Sequence, residues 1–211
     1  MKKIFLLFIV FLTLNKAFAD SPLTSTDFYQ AYFDIALVKE AHTTKKITNE
    51  MMEYIVDDTN SLDIKLAIIN AVGWDTKIKM SKLFFMFVMN KRHYQPEFSN
   101  SEYMAFQWSA TRDELICYSY MKALDNYFDV ADAYEMACEA QRKFPDSFAV
   151  NMICYLIKSQ GLITYGEHCY ASKLFQSIKD KANQKMDMRK EAMPYIFEYM
   201  ISIGDDCEKK L

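Results

Sequence analysis

The sequence predicts an all-α protein: antiparallel helical hairpins stacked as an α-solenoid-like single domain of about ten helices. Three observations carry that reading. Apolar residues recur at helical spacing in one segment after another, each roughly a dozen residues long. Glycine and proline number only four each in 211 residues, too few for the many tight turns of a β-sandwich. Hydrophobic residues make up 51% of the chain, which argues against disorder and supplies the apolar surface for a large core.

Residues 1–19 begin with Lys2 and Lys3, continue through the apolar run Ile4 to Leu12, and end in Ala17-Phe18-Ala19. This is the pattern of a secretory signal peptide, with cleavage expected between Ala19 and Asp20 and a periplasmic or secreted destination. The apolar run is well short of the roughly 20 residues that span a bilayer, so no membrane span is expected after cleavage. Loss of Lys2, Lys3 and Lys16 takes the formal charge from −3 to −6 and leaves the other lysines scattered. Nucleic acid is therefore not an expected partner. Residues 20–211 read as one domain, with possible halves at 20–92 and 101–211.

Between Ser25 and Ala41, Phe28, Tyr32, Ile35 and Val38 mark a first helix behind a Ser/Thr cap. A second helix from Ile47 to Asp57 carries Met51, Tyr54 and Ile55 on one face. The polar turn 58–61 follows, and a third helix from Leu62 to Val72 stops at Gly73, which tolerates positive φ. Thr76 to Lys91 is apolar all round in its second half, so it is expected to be a central helix with Phe84 and Phe87 buried. Residues 90–101, NKRHYQPEFSNS, form the longest polar break and read as a loop. A short helix from Ser101 to Trp108 leads to Thr111, which can cap the next helix.

The stretch from Asp113 to Pro145 reads as a helical hairpin. One stripe holds Leu115, Cys117, Tyr120, Met121 and Leu124, and the other Val130, Ala133, Ala137, Ala140 and Phe144. Further helices are expected over Phe148 to Gln160, Glu167 to Lys179 and Asp187 to Ile203, the last with Pro194 in its first turn or at a kink.

Two of these pairs resemble known repeats. Asp58, Ile64-Lys65, Ile68 and Ala71-Val72-Gly73 look like the second helix of a HEAT repeat, with Lys65 where that family usually has Arg and Ile68 where it has Ala. Ala133, Ala137, Ala140 and Pro145 have the spacing of a tetratricopeptide repeat's second helix, with Ala137 at its aromatic position. In the first helix of that hairpin, Cys117 and Met121 replace the family's Trp and small residue. The resemblance covers the units at 47–73 and 113–145 and implies a helix-turn-helix repeat architecture, without pointing to one functional family. The physical reading is independent of it: such pairs cannot close a core alone and must stack on neighbours.

Chemistry is sparse. His42, His93 and His168 lie far apart and show no i, i+3 or i, i+4 pair of a helical metal site, so no metal or cofactor is expected. No Gly-rich phosphate loop, G-x-S-x-G elbow or C-x-x-C pair occurs, and no catalytic residue stands out. Five cysteines lie at 117, 138, 154, 169 and 207. Helix-turn-helix symmetry sets Cys117 against Cys138 and Cys154 against Cys169, either as disulfides or as buried thiols, with Cys207 left free. Tyr94, Phe98, Tyr103 and Trp108 group around the polar break and are the candidate partner-binding residues, at the loop edge where helical stacks bind.

The function this favours is non-catalytic: an exported helical-repeat protein binding a peptide or protein. The alternatives are an immunity or inhibitor protein of the cell envelope, and an enzyme whose site is scattered over several helices.

Overall fold

In the computed structural model, residues 21–74, 79–92, 102–181 and 184–208 are described. The expected cleavage point at Ala19 and Asp20 lies outside them. Among them the chain forms ten α-helices and no strand: α1 Ala36–Thr44, α2 Asn49–Val56, α3 Leu62–Val72, α4 Met80–Lys91, α5 Glu102–Ser109, α6 Arg112–Asp125, α7 Ala131–Lys143, α8 Phe148–Thr164, α9 His168–Gln176 and α10 Met193–Glu208. Short 3-10 turns cover Phe28–Tyr32, Ser177–Asp180 and Lys190–Ala192.

From α6 onward each helix packs on the next, α6 on α7, α7 on α8, α8 on α9 and α9 on α10, as in a helical-repeat domain. The expected hairpin at 113–145 is therefore present. Its first helix starts with a capping box, where Thr111 Oγ1 accepts from the Glu114 N–H at 3.3 Å and the Glu114 carboxylate accepts from the Thr111 N–H at 2.8 Å. The unit at 47–73 is built differently, since α3 packs chiefly on α1 and only lightly on α2.

The central helix is α6, against which α2, α3, α4, α7 and α8 all pack. The sequence places Thr76 to Lys91 in that role, and the structure corrects it. Met80, Phe84 and Val88, spaced by four, form the one buried face of α4, whereas Leu83 and Met86 are 40% and 50% exposed and Phe87 is half-buried. A helix whose middle is apolar all round thus lies at the edge of the core with Leu83 and Met86 uncovered.

The first expected helix, Ser25 to Ala41, also divides. Asn70 on α3 accepts from the Tyr29 N–H at 2.9 Å and donates to the Thr26 carbonyl at 3.0 Å and to Tyr120 Oη at 2.8 Å. Backbone groups satisfied by a buried amide are lost to the helical ladder, so 28–32 stays a 3-10 turn and α1 starts afresh after extended Ile35.

The cysteine pairing departs from expectation. Cys169 is bonded to Cys207, and Cys117, Cys138 and Cys154 are free thiols. Cys117 sits on the α3 side of α6, near Lys65 and Asp113, with no exposure. Cys138 lies about 100° round the helix from Ala137 and so leaves the stripe that meets α6. Cys154 is ten residues before the end of α8, roughly 15 Å of helix, while Cys169 is at the start of α9, so their heights do not match.

Candidate functional site

Helices α7 and α8 cross closely at one end because position 161 carries no side chain. A Cβ added to Gly161 would lie 3.3 Å from Val130 Cγ2. Beside this contact a groove of about 500 Å³ opens, lined by Phe128, Val130, Tyr134, Ile157, Leu162 and Tyr165 with Asp129 and Lys158 among them. Ile157 is fully buried and Val130 nearly so, which makes the floor apolar.

The rims are aromatic and uncovered. Phe128 is 70% exposed in the turn before α7, and Tyr165 is 86% exposed at the end of α8, where Gly166 with φ +84° turns the chain away. Phe128 leans on Tyr127 with centroids 4.3 Å apart, and Tyr127 meets Trp74 edge-on at 5.6 Å. Trp74 is 49% exposed. An aromatic row therefore runs from the end of α3 to the groove. Exposed aromatics hold large apolar area at small conformational cost, which is why they recur as interface anchors.

Charge in the groove is balanced. The Lys158 ammonium lies 5.5 Å from the centroid of the Tyr134 ring. Burial pushes the Tyr134 hydroxyl well above the ordinary tyrosine range, and the neighbouring Cys138 adds to the shift, so Tyr134 stays a neutral donor and acceptor.

Elsewhere the titratable groups serve the fold. Burial raises the Asp125 carboxyl, yet it accepts from Ser81 Oγ at 2.6 Å and from the N–H groups of Ser81 and Met80 at 2.9 Å each. It borders a cleft of only about 90 Å³ with Lys45 and Lys46. Burial likewise raises Glu114, which is committed to its capping box and to Arg92 at 2.6 Å. Among the described residues, no group of three or more His, Cys, Asp or Glu is arranged to hold a metal ion. A roomier cleft of about 680 Å³ between α9 and α10 is lined by Ser172, Lys173, Gln176, Asp180 and Asp205 together with Ile201 and the Cys169–Cys207 bond. It lacks aromatic anchors.

Of the sequence candidates, Tyr94 and Phe98 lie outside the described residues, and for Tyr103 and Trp108 the structure describes only the helical backbone of α5. The groove uses aromatics that sequence reasoning passed over. Their signal was present: Tyr127-Phe128 stands inside the polar turn Asn126 to Asp129, and Tyr165 stands between a helix end and a glycine. An aromatic in a short turn has no helical face to hide it. Compared with protein-family models, with curated proteins and with solved structures, the chain matches none.

Proposed function

We propose that this is an exported, non-catalytic binding protein that takes an apolar segment of a peptide or protein in the α7–α8 groove. The observation that carries it is the pair of uncovered aromatics, Phe128 and Tyr165, on either side of an apolar floor. Groups of that size are usually covered in a soluble domain, and two of them flanking one concavity match the anchor pattern of peptide grooves. Lys158 and Asp129 inside the rim supply polar contacts of both signs for a ligand backbone or its ends.

The commitment of Asp125 and Glu114 to structural hydrogen bonds weighs against a scattered catalytic site. Export rests on the leader pattern of residues 1–19 and accords with a disulfide, which persists in oxidising compartments. The absence of a long apolar helix among the described residues accords with a chain that does not span the membrane after cleavage.

A displayed random-peptide library screened against residues 20–211 tests the reading. Enriched peptides should carry aromatic or aliphatic anchors and lose at least about tenfold in affinity against Phe128→Ala/Tyr165→Ala. They should retain it against Tyr170→Ala, an exposed aromatic outside the groove. No enrichment, or equal binding to both variants, would rule out the groove.

A further inference from the structure

Helices α7 and α8 run antiparallel in a register marked by three contacts. Gln141 Nε2 donates to Asn151 Oδ1 at 2.7 Å. Tyr134 stacks under Lys158, and Val130 touches Gly161. Cys138 lies three residues from Gln141 and four from Tyr134, and Cys154 lies three from Asn151 and four from Lys158. The same register therefore sets the two cysteines opposite one another, one step along a ladder whose neighbouring rungs are both in contact.

Both are free thiols, Cys154 2% exposed and Cys138 half-buried at the helix flank. Burial raises the Cys154 thiol and the adjacent Cys138 raises it further, while Lys181 and Lys158 pull the other way. Cys117 supplies the contrast: it is fully buried beside an ion pair.

We propose that Cys138 and Cys154 form a reactive dithiol that closes into a second disulfide and cross-links α7 to α8. The oxidant is a disulfide, small or protein-borne. The Cys138 thiolate, which solvent can reach, attacks one sulfur of the oxidant, forming a mixed disulfide and expelling the other sulfur as a thiolate. The Cys154 thiolate then attacks Cys138 Sγ, forming the internal bond and expelling the second thiolate. The oxidant gains two electrons, and its two thiolates take up the two protons that the cysteines release. Burial disfavours the Cys154 thiolate that the second step needs, and Lys181 and Lys158 offset part of that cost. The order follows from access, since Cys154 is buried and Cys138 is half-buried.

The test uses the chain with its Cys169–Cys207 bond intact, equilibrated in glutathione redox buffers, then alkylated and peptide-mapped without reduction. Wild type should yield one new linked peptide pair, Cys138 with Cys154, with Cys117 alkylated only after denaturation. Cys154→Ser should trap glutathione on Cys138. Cys138→Ser should slow modification of Cys154 on the order of tenfold or more. Wild type that accumulates glutathione on Cys138 while Cys154 stays free would overturn the proposal. So would two unreacted thiols after equilibration, or exchange of Cys169 or Cys207 into the new bond.

Discussion

On α3, Lys65 has no exposed surface, and its ammonium donates to the Asp113 carboxylate on α6 at 2.8 Å. Arg112 Nε reaches the other oxygen of Asp113 at 2.6 Å, and its guanidinium lies 4.4 Å from the centroid of the Phe144 ring. A cation buried this fully is tolerable only because a carboxylate meets it, and removing one partner leaves the other desolvated. Lys65→Ala should cost about 3 kcal/mol in urea unfolding. The double variant Lys65→Met/Asp113→Leu should fall within about 1 kcal/mol of wild type, because packed apolar groups replace a buried pair at little loss. Equal losses in the two would show that packed apolar groups do not replace this ion pair. The sequence marked Lys65 only as standing where a HEAT repeat usually has Arg; nothing in local periodicity could say that its partner lies 48 residues on.

At the level of elements, α9 and α10 illustrate how a close approach and a covalent bond belong together. Ser172 Oγ donates to the Met200 carbonyl at 2.6 Å, and a Cβ on Gly204 would come within 2.8 Å of that same Oγ. The small pair Ser172 and Gly204 draws the helices together, and one turn further along each helix Cys169 and Cys207 stand with Cα atoms 5.7 Å apart. Closing a loop of 38 residues stabilises by about 4 kcal/mol in the chain-entropy model. Cys169→Ser/Cys207→Ser should therefore lose roughly 2 to 4 kcal/mol by denaturant titration, and a loss well below that would mean the unfolded chain gains little from the link. Helix periodicity revealed the number and most positions of these elements, and the Thr111 cap and the 113–145 hairpin were legible in it. The pairing of cysteines was not, because it depends on which side of each helix meets which neighbour. Cys138 turned to α8 instead of α6, and Cys207 was reached only because α10 folds back along α9. The groove was half legible: its apolar floor reads as ordinary core, and only the turn aromatics Phe128 and Tyr165 mark it as open.

Across the whole molecule, the two ends of the described chain are tied together. Arg189, just before α10, donates from its guanidinium to the Asp34 carboxylate at 2.5 Å and to the Ala31 carbonyl at 3.1 Å, and its N–H reaches Tyr32 Oη at 3.2 Å. The hydrogen bond from Arg189 also holds the Asp34 carboxyl below its ordinary range. Tyr32, fully buried, passes its own hydroxyl on to Asp63 at 3.0 Å, so the clasp runs from the C-terminal region through the 28–32 turn into α3. A stack of repeats with independent ends frays from either terminus, whereas one with its ends joined should open as a unit. Arg189→Ala should lower the melting temperature by about 2 to 4 °C, the equivalent of about 1 kcal/mol for a chain of this size. Arg142→Ala, which removes an exposed contact to Glu139 within α7, should leave it unchanged. Hydrogen exchange locates the effect: in Arg189→Ala, amides of 28–44 and of α3 should exchange faster together with those of α10. Faster exchange confined to residues next to position 189 would show that the two ends stand independently and that the clasp is only a surface contact.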